Sequence, residues 1–212
     1  MKIILSIILI ITECRAQIPY DKTNYGIILV DRRCAGTGFV ALTPNKVLTC
    51  FHAIDTSKKI EFANGNRLIY LLKLDKFDSK LDIAILHSDS ILSNKPFIIS
   101  DSLPNYDQKL YYLGYDSVES ENEPSEVFKY DSSSALGMYN QEMPFLYGFS
   151  YMSKSNVGYS GGPVLDSLGN VLGINRIAIN KDLLNMNVPF KTRPRIELIA
   201  IPAFESKKLY KE

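Results

Sequence analysis

The chain has 212 residues, 46% of them hydrophobic and 22% charged, with 24 Lys and Arg against 23 Asp and Glu. That balance excludes a disordered tail, a collagen-like repeat and a coiled coil. It also lacks the clustered basic surplus with which a nucleic-acid groove releases counterions. With 13 Tyr and 10 Phe a sizeable core can be buried, and the length suits one large or two small domains.

Lys2 is followed by an unbroken apolar run, Ile3 to Ile11, and then by the polar stretch Thr12 to Arg15 and Ala16. This is the layout of a secretory signal peptide, with the small residues Cys14 and Ala16 at −3 and −1 of a cleavage site. The run is too short to span a bilayer, which takes about 20 apolar residues. A lipoprotein role for Cys14 is weaker, because Thr12 and Glu13 make a polar approach. Cleavage after Ala16 leaves residues 17–212, with equal numbers of acidic and basic side chains. The expected product is secreted or periplasmic, and free of the membrane once the signal is gone. There Cys34 and Cys50 could form a disulfide. A hairpin turning at Thr43-Pro44-Asn45 would set Cys50 opposite Gly38 rather than Cys34, so the pairing stays open.

The remaining chain is a series of short β-rich runs. They are Tyr25–Val30, Gly36–Leu42, Lys46–Cys50, Arg67–Leu74, Asp82–His87, Pro96–Ser100, Lys109–Gly114, Glu126–Tyr130, Pro144–Met152, Val171–Ile179 and Arg195–Ile201. Turn residues separate them, as at Asn64-Gly65-Asn66 and Asp166 to Asn170. No long helical period intervenes, so the pattern predicts an all-β barrel or sandwich. Helix is expected only in a short tail opening at Pro202 and ending among Lys207, Lys208 and Lys211. Asp89 to Asp107, polar and rich in turns, is the expected link between two halves.

Three islands carry chemistry. They are Gly36-Thr37-Gly38-Phe39 with Leu48-Thr49-Cys50-Phe51-His52, then Asp82-Ile83-Ala84-Ile85-Leu86, then Gly158-Tyr159-Ser160-Gly161-Gly162-Pro163. A serine hydroxyl needs an imidazole to take its proton, and the imidazole needs a carboxylate to fix its tautomer. Gly-x-Ser-x-Gly alone also fits an α/β-hydrolase elbow, in which the histidine follows the serine. The only two histidines here, His52 and His87, both precede Ser160, so that reading has no base. His87 falls at the far end of the Asp82 run, and of the nearby acids Asp75, Asp78, Asp82 and Asp89 only Asp82 directly precedes the alternating apolar strand. Two histidines without His-Glu-x-x-His spacing make no zinc site, and no cofactor motif is present.

The order His52, Asp82, Ser160 and the three motifs resemble the trypsin-like, chymotrypsin-fold serine peptidases, over about Gly26 to Pro202. Gly36-Thr37-Gly38-Phe39 and Ile199-Ala200-Ile201-Pro202 look most like the bacterial HtrA-like branch, although ten residues after Pro202 leave no room for that branch's PDZ domain. The resemblance implies two antiparallel six-stranded β-barrels, about 25–100 and 108–202, with a short C-terminal helix. It implies a secreted endopeptidase acting on protein or peptide substrates, expected as a monomer. His52, Asp82 and Ser160 would be catalytic, and the backbone N–H groups of Gly158 and Ser160 would form the oxyanion hole. The alternatives are a latent trypsin-fold binding module and an esterase using the same triad. Tyr159 stands where digestive zymogens carry the Asp that pairs with a new N-terminus, so signal removal alone is expected to suffice. Pocket walls at about Ser153–Val157 and Gly173–Ile177 contain no acid, which disfavours a Lys or Arg preference. Lys154 and Arg176 are candidates for recognising acidic side chains, with solvated surface charge as their plainer reading.

Overall fold

The computed structural model describes residues 21–116, 128–139, 147–155, 157–178 and 192–212. The signal segment, and the parts of the predicted runs that fall in 126–127, 144–146 and 179, lie outside the described residues. Among the described residues, twelve strands form two closed antiparallel barrels. The first contains β1 (Tyr25–Val30), β2 (Arg33–Val40), β3 (Lys46–Cys50), β4 (Ile60–Asn64), β5 (Ile69–Asp78) and β6 (Ile83–His87) in the order β1-β2-β3-β6-β5-β4. The second contains β7 (Lys109–Tyr115), β8 (Phe128–Tyr139), β9 (Gly148–Ser153), β10 (Pro163–Leu165), β11 (Val171–Ala178) and β12 (Ile196–Pro202), ordered β10-β11-β12-β9-β8-β7. Closure through β1–β4 and β7–β10 leaves neither sheet with a free edge.

Alternation along the strands explains why several read as continuous apolar runs. In β3, Val47 points into the first barrel with Ile28, Phe62 and Leu86, while its neighbour Leu48 faces the second barrel. In β7, Leu110 and Tyr112 fill the second barrel, while Tyr111 and Leu113 face the first. Both faces of these strands are therefore buried, one inside a barrel and the other between barrels. The layer between them joins Phe39, Leu48, Cys50, Ile83 and Ile85 to Leu113, Leu165, Val171, Ile174 and Ile201. A buried leucine-sized side chain contributes about 2 kcal/mol, so this layer docks the barrels firmly.

Several expectations change in detail. Pro96–Ser100 is not a barrel strand but a rung across both barrels, with isolated bridges Ala41–Phe97 and Ile99–Val171. Its alternation is real, because Phe97 and Ile99 are buried while Ile98 faces out. β4, whose apolar run is broken by Glu61, and β10, only three residues long, were not expected. The β2–β3 register, Phe39 opposite Leu48 and Val40 opposite Val47, directs Cys50 toward Thr37 rather than Gly38. Cys34 and Cys50 are free thiols, one exposed and one buried. Pro202 ends β12, and the helix α1 spans Phe204–Lys211 with Ala203 at its N-cap. No helix among the described residues is long and apolar enough to cross a membrane.

Candidate active site

A 3-10 turn, Phe51–Ala53, follows β3 and carries His52. Its N-cap residue, Cys50, offers no side-chain cap to the free N–H groups that open any helical turn. Asp82, on the turn just before β6, supplies what is missing. Its carbonyl accepts the Phe51 N–H at 3.1 Å, and its Oδ1 accepts the His52 N–H at 2.8 Å. The second carboxylate oxygen, Oδ2, lies 2.7 Å from His52 Nδ1. Asp82 reaches this position with φ of 63°, in the left-handed region that aspartate tolerates better than most residues. One side chain thus builds the turn and orients its imidazole.

Burial alone would raise the Asp82 carboxyl. The hydrogen bond and charge of His52, its backbone N–H and the Arg176 guanidinium outweigh that and hold it below the ordinary 3.8. The other acids of this region are engaged elsewhere: Asp75 with Lys46, Asp89 with Lys73, and Asp78 with the backbone of Lys80 and Leu81. His87 sits at the far end of β6, 4.0 Å from Asp89.

Ser160 comes from the second barrel, on the turn before β10. The first barrel holds that turn. Ser160's carbonyl accepts the Thr37 N–H at 2.8 Å, and an added methyl at Gly36 would stand 2.8 Å from the same oxygen and 3.1 Å from Ala53 Cβ. The serine turn and the histidine turn therefore meet over Gly36, where only glycine fits. Ser160 Oγ donates to the Arg176 carbonyl at 3.4 Å. Gly158 has φ of 106° and Gly161 of 84°, conformations that strain any side chain. Gly161 N–H donates to Asn175 O, and Asn175 N–H returns a bond to Gly162 O, both at 2.8 Å.

Thr37, quoted above only as part of a motif, is the linchpin of this turn. It is fully buried, and its hydroxyl donates to Gly158 O at 2.6 Å while accepting the Tyr115 N–H at 2.9 Å. Its carbonyl accepts the Thr49 hydroxyl at 2.8 Å. Tyr159, beside the serine, buries its ring edge-on to Tyr112. An added methyl at Gly114 would overlap that ring.

Arg176 departs from its plainer reading as a solvated surface charge. Its side chain is only 8% exposed, and Nε lies 3.4 Å from Asp82 Oδ2. Cys50 donates its thiol to Asn175 O at 3.0 Å, and burial, followed by the charge of Asp82, pushes that thiol well above 9.0. The potential ligand atoms of Cys50, His52 and Asp82 fall within 4.8 Å of one another. A protonated thiol and an adjacent guanidinium suit that cluster poorly to a metal cation.

The fold is shared by solved proteases. The active form of the Rv3671c protease from M. tuberculosis superposes with a TM-score of 0.66 at 18% identity, over 90% of this chain and 80% of that one. Its inactive form gives 0.63 at 18%, over 90% and 88%. The serine endoprotease from Yersinia pestis gives 0.65 at 20%, over 90% of this chain and 62% of that chain. The sequence model described as Trypsin-like peptidase domain matches residues 36–174, which include His52, Asp82 and Ser160. With that match spanning more than half of its length, the chain belongs to the trypsin-like peptidase family.

Proposed function

We propose that the chain is a secreted serine endopeptidase that cleaves peptide bonds through His52, Asp82 and Ser160. The observation that carries this reading is the doubly bonded His52–Asp82 pair, with the Ser160 turn hung from β2 beside it. Rotation of Ser160 about χ1, away from the Arg176 carbonyl, frees Oγ to attack the substrate carbonyl carbon. His52 Nε2 takes the hydroxyl proton, and Asp82 stabilises the imidazolium through Nδ1. The N–H groups of Gly158 and Ser160 receive the oxyanion. Collapse of the tetrahedral adduct breaks the C–N bond, and His52 gives its proton to the leaving amine. Water, activated by the same imidazole, then releases the acyl group from Ser160.

The proposed walls of the specificity pocket, at about 153–157 and 173–177, contain no acid. Small or aliphatic P1 side chains are the proposed preference, and a cleavage profile dominated by Lys and Arg would contradict it. For export, the support is the Lys2 and Ile3–Ile11 pattern, and N-terminal sequencing of the mature protein should begin at Gln17. The central test is labelling with a fluorophosphonate. Ser160 of the mature protein should be modified, and Ser160→Ala should not. Absence of labelling from pH 5 to pH 9 would favour a trypsin-fold binding module instead.

A further inference from the structure

The Asp82 carboxylate has more partners than a histidine needs. Oδ1 takes the His52 N–H, and Oδ2 is shared by His52 Nδ1 at 2.7 Å and Arg176 Nε at 3.4 Å. Arg176 is held for this purpose. It lies on β11 directly after Asn175, whose side chain is bonded to the buried Tyr151 hydroxyl and whose carbonyl takes the Cys50 thiol. Its NH2 reaches the Lys80 carbonyl at 3.4 Å, in the approach to Asp82. The guanidinium therefore ties β11 of the second barrel to the carboxylate that orients the base on the first.

We propose that Arg176 is a positioning residue, which locks the Asp82 carboxylate across the barrel interface and tempers the field that it exerts on His52. This rests on the reading of His52, Asp82 and Ser160 as a triad. A permanent cation beside the carboxylate has two opposed effects. It offsets the cost of burying the anion and fixes its rotamer, and it weakens the field with which Asp82 stabilises an imidazolium. The titratable or charged groups facing Asp82 are His52 from the 3-10 turn, Cys50 from β3 and Arg176 from β11. Cys50 stays a neutral thiol, and Asp78 is turned to the Lys80 and Leu81 N–H groups. Among the described residues Arg176 is thus the permanent cation that balances this carboxylate.

The test follows the rate of fluorophosphonate labelling against pH and, in parallel, the Nδ1–H resonance of His52 by NMR, which reports its bond to Asp82. In Arg176→Gln the acid limb of the labelling profile should move to higher pH by about half to one unit, the plateau rate should fall, and the Nδ1–H resonance should move. Arg176→Lys keeps the charge without the planar fork, so its acid limb should stay at the wild-type position while the plateau rate falls. An acid limb and an Nδ1–H resonance both unmoved in Arg176→Gln would overturn the proposal, even with slower labelling, because a merely structural contact would give that result. Should Arg176→Gln fail to fold by near-UV circular dichroism, Arg176→Lys decides: wild-type labelling overturns the proposal, and a slowed plateau with an unmoved acid limb supports it. The NMR readout does not require labelling, so a wild-type protein that resists the probe would sink the peptidase reading while the His52–Asp82 bond still reported on Arg176.

Discussion

Thr37→Val tests most directly whether the first barrel builds the Ser160 turn of the second. The two side chains have nearly the same shape, so the substitution leaves no cavity, but it removes the hydroxyl. Two backbone groups then lose a partner: the half-buried Gly158 carbonyl, bonded at 2.6 Å, and the buried Tyr115 N–H, bonded at 2.9 Å. An orphaned buried polar group costs about 1–3 kcal/mol, so the pair should cost about 2–5 kcal/mol. For a domain of this size that is a fall in Tm of about 5–15 °C, with the denaturant midpoint lowered at unchanged m. Thr37→Ser keeps the hydroxyl and should recover most of the loss. The Gly158 carbonyl belongs to the turn that carries Ser160, so fluorophosphonate labelling should also slow at least tenfold in Thr37→Val, at a temperature where the variant is fully folded. A Val variant within about 0.5 kcal/mol of wild type and labelled at the wild-type rate would refute the reasoning. It would mean that water or a shifted backbone serves the two groups equally well.

Other consequences are open to measurement. Gly114→Ala forces a methyl into the Tyr159 ring, and because that ring is buried beside Ser160, labelling of Ser160 should fall more than tenfold with a loss of about 1–3 kcal/mol in stability. In native protein, iodoacetamide at pH 8 should modify Cys34 quickly and spare Cys50 until the protein unfolds, as peptide mapping by mass spectrometry can check. Equal rates for the two would contradict the buried, protonated thiol. Asp82 has a carboxyl held below 3.8 in the folded state, so its contribution to stability is present in full above the unfolded-state value and is lost as pH falls through the lower folded one. The stability gap between wild type and Asp82→Asn, measured by urea unfolding, should therefore be level above about pH 5 and close below about pH 4. A gap that widened on acidification would reverse the assigned direction.

The barrels and their order were legible because their strands are short apolar runs cut by turn residues. Tyr25–Val30 is bounded as expected by Asn24 and the Asp31-Arg32 turn, and Lys46–Cys50 by Asn45 and the turn that carries His52. Ile60–Asn64 was missed because Glu61 interrupts its apolar character; Glu61 is covered through its pair with Lys59. Pro96–Ser100 has strand alternation without strand partners, a difference that depends on which chain lies alongside and not on local pattern. The site divides in the same way. His52 and Asp82 sit in motifs that announce them, and the structure joins them. Thr37 carries no signal beyond standing between two glycines, because its role depends on the Gly158 carbonyl arriving from 121 residues away. Arg176 was misjudged for a related reason. An arginine on a strand reads as solvated until the opposite barrel supplies a buried carboxylate.

Each barrel is drawn from one uninterrupted stretch of chain, yet the serine turn hangs from Thr37 of the other barrel, and Arg176 reaches back across the same boundary. Docking is therefore the event on which the proposed site depends. Until the barrels meet, one holds a histidine and an aspartate and the other a serine, with the boundary between them still open. On the reading proposed above, the seam between the barrels is then itself the switch from an inert chain to a reactive one.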